Sequence, residues 1–395
     1  MMRRIAFPVQ PSVMRWARIS AGFEDRAAAA EKLSVGEQTL HAWETGAAIP
    51  TLPDVVKAAK AFRRPLAAFL LPTPPVEAEP PPDYRLVWGA DVKALGPEVR
   101  RQVATARELQ DIAHDLMTEL DERIALPDLG PRPQDRMDAA AAAAREWLEV
   151  PPEYQASWDG RQAAIEGWRG AIEDRGILVL FVPMPPRQIR GFSLSRREPP
   201  VIAVNSSDSD NAQIFSLLHE YIHVSLGTEG LCDPQRGLAA ALTAPPGEIE
   251  QLCNELAGRV LVPKAELLAH PATHKIAATA DGLTDGQLNR LTGYFKVSKP
   301  VMLIRLLRVG AIAEDRFEAR WRELPWFLDP RQQGSGGGGG ASRSEIAVKR
   351  YGAGYVRLVL EAVGEGIVHP VEAARYLDVQ FDDLGAVDRI LRKQA

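Results

Sequence analysis

Cysteine is nearly missing from this chain: Cys232 and Cys253 are the only two in 395 residues. That excludes a disulfide framework and, with no secretory pattern at the N-terminus, leads us to expect a reducing cytoplasm. Long apolar runs are lacking too, so neither a membrane span nor an exported product is expected. Positive charge is not in excess. The 47 Lys and Arg face 52 Asp and Glu, a net charge of −5, which excludes coating of nucleic acid by the chain as a whole. What is present, 46% hydrophobic and 25% charged residues, is the composition of an ordinary globular chain long enough for two or three domains.

Histidine is also scarce, with seven in all, and two of them fall in His219-Glu220-Tyr221-Ile222-His223. A chance HExxH should arise in about one chain in a hundred of this composition, so the motif is a strong signal. Histidines four apart on a helix share a face and can bind one metal, and the glutamate after the first can reach a metal-bound water. The preceding Asp210–Leu218 has a polar start and an apolar stripe at Ile214, Phe215, Leu217 and Leu218, which predicts a buried helix. Tyr221 points about 200° away from His219 around that helix and is a poor partner for the chemistry. A catalytic zinc needs a third protein ligand and then a vacancy. Glu250 is the best candidate, on a helical pattern from Glu248 to Pro263, with Asn254 one turn later as a group that could hydrogen-bond a ligand.

Along the chain, short helical patterns at Ser12–Ala21, Arg26–Leu33, Glu37–Glu44, Leu52–Phe62 and Leu66–Leu70 predict a small all-α domain over residues 1–72. Residues 1–75 carry ten Lys and Arg against six acids, a local balance of +4. A proline-rich connector at 73–83 marks the boundary. Residues 84–330 read as an α+β unit, with helices at Pro97–Leu126, Met137–Leu148 and Arg161–Arg175 and strands at Ile177–Val182, Gly191–Ser195 and Val201–Asn205 before the metal helix. A glycine-rich linker at 331–344 and a helical module at 345–395, with helices at Ala353–Gly364 and Pro370–Leu377, complete a multidomain chain. The linker's composition is also that of an engineered joint.

The segments Arg190–Ser193, Pro200–Ser206, Ile214–His223 and Glu250–Ala257 together resemble the ImmA/IrrE family of zinc metallopeptidases. Over about residues 150–310, the resemblance implies a zincin-like α+β domain with a small sheet, one Zn2+ per chain on His219, His223 and Glu250, and Glu220 as general base. Leu256 departs from the Phe common in relatives, a change within the core. Arg15–Arg18, Ala28–Leu33, Trp43–Gly46 and Ile49–Thr51 are similar to XRE-type helix-turn-helix domains. That likeness implies DNA binding at the chain's own promoter, with Gln38, Thr39 and His41 facing bases and Arg15, Arg18 and Arg26 supplying phosphate contacts. Against it stands a recognition helix without Lys or Arg that carries Glu37 and Glu44. The whole architecture, including a Gly-rich loop, resembles regulators that either cleave a protein substrate or act as antitoxins beside a toxin, often a PIN-type nuclease; a homodimer is compatible with both. Trp147, Trp158, Trp168, Trp321, Trp326 and Cys253 are expected in the core, Cys232 as a loop thiol, and His41 and His369 in solvent.

Overall fold

The computed structural model describes residues 6–21, 23, 25–62, 64, 66–74, 97–122, 136–185, 189–195, 197–227, 231–232, 248–278, 283–324 and 341–394. The proline-rich connector from residue 75, Trp326 and the glycine run lie outside them. The chain divides into two compact units, residues 1–104 and 105–395. Among the described residues no helix is long and apolar enough to cross a membrane.

In the first unit α1 (Pro11–Ser20), α2 (Arg26–Leu33), α3 (Glu37–Thr45), α4 (Leu52–Ala61) and a 3-10 turn (Leu66–Leu70) enclose Met14, Leu33, Leu40, Trp43, Phe62 and Phe69. Local chemistry sets the helix ends. Asp25 accepts N–H bonds from Ala27 and Ala28 at the start of α2, and Thr51 and Asp54 form a capping box on α4. Gly46, at φ 79°, ends α3 in the left-handed region that suits glycine. The α2–turn–α3 pair is further tied by charge. Glu44 is buried, and its carboxylate accepts from Arg18 Nε at 2.5 Å and Arg26 Nε at 3.1 Å, linking α1, α2 and α3.

The second unit contains a four-stranded sheet in the order β1 (Leu178–Val182), β3 (Val201–Asn205), β2 (Gly191–Leu194) and β4 (Leu231–Cys232). The β1 and β3 strands run parallel, with Leu180 opposite Ala203, while β2 is antiparallel to β3 and β4. Every residue of β1, β2 and β3 is buried, which explains why all but Ser193 and Asn205 are apolar or glycine. The helix α9 (Asp210–Ser225) packs on β2 and β3, flanked by α8 (Gly160–Glu173) and α10 (Glu248–Leu261). Before them lie α5 (Pro97–Glu119), α6 (Met137–Trp147) and α7 (Pro152–Ser157); α11 (Lys264–Ala269), α12 (Pro271–Ala278), α13 (Asp285–Phe295), α14 (Lys299–Arg308) and α15 (Glu314–Arg322) follow. The expected helix to Leu126 ends at Glu119, because Asp121 turns left-handed at φ 55°.

Polar groups fix the elements that carry the site. Asn205, fully buried, donates to Ile189 O and accepts from Met184 N and Ser207 N, holding both the entry to β2 and the run into α9. The end of α10 is gripped by three side chains: Arg145 donates to Val260 O, Gln155 to Leu261 O, and Arg305 to Val262 O. These bonds satisfy carbonyls that a helix terminus leaves open. Burial lowers the pKa of both arginines to about 10. Trp168 is fully buried and Trp158 nearly so, while Trp147 and Trp321 pack against the same core. Cys253 is buried and in no disulfide, whereas only the backbone of Cys232, paired in β4, is described.

The C-terminal helices α16 (Arg343–Gly364), α17 (Pro370–Tyr376) and α18 (Leu384–Gln394) belong to this same unit. Helix α16 packs along β1 and breaks at Gly352, at φ 86° and ψ 158°. An ion pair on α8 clamps the break. Arg169 donates to Glu173 at 2.8 Å and to Lys349 O at 2.7 Å, at the end of the first half-helix. Glu173 accepts from Gly354 N at 3.2 Å, at the start of the second. A cation thus meets a helix C-terminus and an anion a helix N-terminus, as the helix dipoles favour.

Candidate metal centre

The i, i+4 spacing on α9 brings the two imidazoles together at the helix face that α10 approaches. His219 Nε2 and His223 Nε2 are 3.1 Å apart. Glu250, near the start of α10, places Oε2 3.4 Å from His219 Nε2 and Oε1 3.2 Å from His223 Nε2. Ligand atoms at ~2.0–2.1 Å from a tetrahedral zinc stand about 3.3 Å from one another. The two imidazole nitrogens are thus spaced as two ligands of one zinc ion would be, and the Glu250 carboxylate faces both, with one oxygen towards each ring. Among the described residues this is the cluster of His and carboxylate donors able to hold a metal ion.

Electrostatics are consistent with a cation there. Burial opposes charge on His219, yet Glu250, Glu220 and Asn254 together raise its pKa. Burial would also raise Glu250, but contact with both imidazoles holds its carboxylate far below the usual range. Asn254 acts on the His219 ring rather than on Glu250, although His219 Nδ1 itself is buried without a hydrogen-bond partner.

Glu220 is fully buried beside the triangle, and burial, opposed by His223, His219 and a bond from Ser193, raises its pKa. Ser193 Oγ donates to Glu220 Oε2 at 2.8 Å, while Oε1 is buried and unpartnered. Ser193 has no role in the sequence reading. Its signals there are its place at the end of the Arg190–Ser193 segment and a hydroxyl in the otherwise apolar Gly191–Leu194 strand. Tyr221, fully buried, stacks on Trp147 and is core.

In the first unit Gln38, Thr39 and His41 are exposed on α3, and Arg15 is exposed on α1. Arg18 is not available to phosphate: it is 3% exposed and bonded to Glu44 and to Phe23 O. Arg26 is half-buried and shares the same carboxylate. The expectation for Arg18 therefore fails, because a buried cation must keep its counter-ion. Glu44 equally ceases to oppose DNA, since it faces inward. With that triad set aside, Arg15, Lys32, Lys57, Lys60 and Arg64 face Asp25, Glu31, Glu37 and Asp54 among the described residues, a surface balance of only +1.

Residues 172–307 match a peptidase family model described as the IrrE N-terminal-like domain, which takes in β1 to β4, α9 and α10. Residues 14–69 match the helix-turn-helix family model, from α1 to the 3-10 turn. No curated protein and no solved structure gives a significant match. The chain thus carries a segment similar to helix-turn-helix domains and, after it, one similar to the IrrE N-terminal-like peptidase domain.

Proposed function

We propose that this chain is a cytoplasmic transcriptional regulator in which a DNA-binding domain is joined to a zinc-dependent endopeptidase that cleaves a partner or repressor protein. The observation that carries the reading is the donor triangle of His219, His223 and Glu250 with the buried Glu220 carboxylate beside it. These three residues would hold one zinc ion, which when bound polarises a carbonyl and lowers the pKa of water.

The rest of the chemistry falls to the protein. His219 and His223 present Nε2 as neutral ligands, and Glu250 supplies the negative charge. Glu220 takes the proton of the attacking water and delivers it to the leaving amine. Its raised pKa suits that double duty, since a base that must return its proton works best with a pKa near the operating pH. In the first unit α3 presents Gln38, Thr39 and His41 to base edges, and Arg15 contacts phosphate at the chain's own promoter. A homodimer would present two such helices to a palindromic site.

The test is coexpression with the product of the neighbouring gene, comparing wild type with Glu220→Gln. Loss of a general base costs roughly 10²–10⁴ in rate, so the partner should be cut by the wild type and persist with the variant or under chelation. Chelator-insensitive, stoichiometric neutralisation of a toxic neighbour, with the partner intact in both, would instead make the chain an antitoxin.

A further inference from the structure

Strand β2 carries more of the site than its pairing requires. Gly191 and Ser193 are two residues apart and so share one face of the strand, the face on which α9 packs. Both touch Glu220. Ser193 Oγ donates to Oε2 at 2.8 Å. A Cβ built on Gly191 would lie 3.3 Å from Glu220 Cγ and 3.4 Å from Oε1, and 3.0 Å from the carbonyl of Ala203. A side chain at 191 would therefore crowd the Glu220 side chain on the side of its unpartnered oxygen. A free glutamate side chain has three rotatable bonds; this one is pinned at one oxygen and given space at the other.

We propose that Ser193 is a positioning residue for the base: its hydroxyl holds Glu220 Oε2 against β2, so that Oε1 alone is presented for proton transfer, with Gly191 keeping that side open. The inference rests on the metallopeptidase reading above. It assigns Ser193 no contact with substrate or metal, and all of its effect passes through Glu220. A catalytic proton acceptor must sit within hydrogen-bond reach of the proton it takes, so a carboxylate free to rotate is a poorer acceptor even when its charge is unchanged.

The experiment needs no knowledge of the substrate. The full chain is loaded with cobalt, and acetohydroxamate, a chelating acid that must give up a proton to a neighbouring base, is titrated while visible absorption is followed. Ser193→Thr keeps the hydroxyl, and Ser193→Val has nearly the same shape without it. A hydrogen bond to a charged group corresponds to about tenfold in affinity or more, so Ser193→Val should bind acetohydroxamate about tenfold more weakly than Ser193→Thr. In a Glu220→Gln background the two should be equal. The proposal is overturned if they bind equally with Glu220 present, or if their difference survives its replacement. Should Ser193→Val fail to take up cobalt, Ser193→Ala against wild type provides the same comparison. A wild-type chain that takes up no cobalt would refute the metal reading itself, a different failure.

Discussion

Gly352 is where a single methyl group should do most damage. At φ 86° and ψ 158° it occupies a region open essentially to glycine alone, where another residue costs roughly 1–3 kcal/mol. A Cβ there would overlap Glu173 Oε1 and stand 2.7 Å from Arg169 Nη2 and 2.8 Å from Glu173 Cδ. The carboxylate cannot simply yield, because its side chain is 3% exposed and bonded to Arg169 and Gly354 N. Breaking a buried pair of this kind costs about 3–5 kcal/mol, so Gly352→Ala should cost roughly 4–8 kcal/mol in all. That is comparable with the whole stability of a domain, about 5–15 kcal/mol. Undocking of residues 343–394 from β1 is the cheaper outcome. Hydrogen exchange should show it as lost protection across α16, α17 and α18, with α9 and α10 still protected. Gly354→Ala is the control, since its Cβ would be 3.3 Å from Glu173 Cβ, a contact that small shifts relieve, and it should change stability by less than about 1 kcal/mol. Equal exchange and equal denaturation midpoints for Gly352→Ala and wild type would refute the clamp.

The same residue has a pH signature. Burial raises the pKa of Glu173 above its unfolded value, although Arg169 and the N–H groups of Gly354 and Ala353 act the other way, so the stability of the folded unit should fall as pH rises from the ordinary Glu range towards the folded pKa. Glu173→Gln should remove that slope in denaturation measured from pH 4 upward. In the first unit, Glu44→Ala strands Arg18 without its anion and should cost about 3–5 kcal/mol, read as faster hydrogen exchange across α1 to α4. Arg15→Ala should leave the fold intact and lower the slope of log affinity for promoter DNA against log salt by about 1, whereas an unchanged slope would remove Arg15 from the interface.

Local signals made much of this legible. The histidine spacing, the apolar stripe before it and the run ending at Val182 each state their structure within a few residues, and β1, β2, β3 and α9 stand there. Glu250 was reachable because its helix has a clear apolar face and a carboxylate at the right end. Contacts between distant residues were not. Nothing marks Arg18 and Glu44, 26 positions apart, as partners rather than as opposing terms in a DNA interface. Ser193 carries no periodic signature, and its role exists only because β2 lies under α9. Reading a helix from Ala353 found the second half of α16, for the glycines that weaken the pattern at 352 and 354 coincide with a real break. The first half was missed because its cap, Ser342, follows directly on a glycine-rich stretch.

The central claim is that His219, His223 and Glu250 hold one metal ion while Glu220 stands beside it as the base. Metal content per chain, measured on wild type and three variants purified without chelator, tests it directly. One zinc should be found in the wild type and in Glu220→Gln, and His219→Ala and Glu250→Ala should lose it. A fully loaded Glu250→Ala variant, or a Glu220→Gln variant stripped of metal, would contradict the assignment.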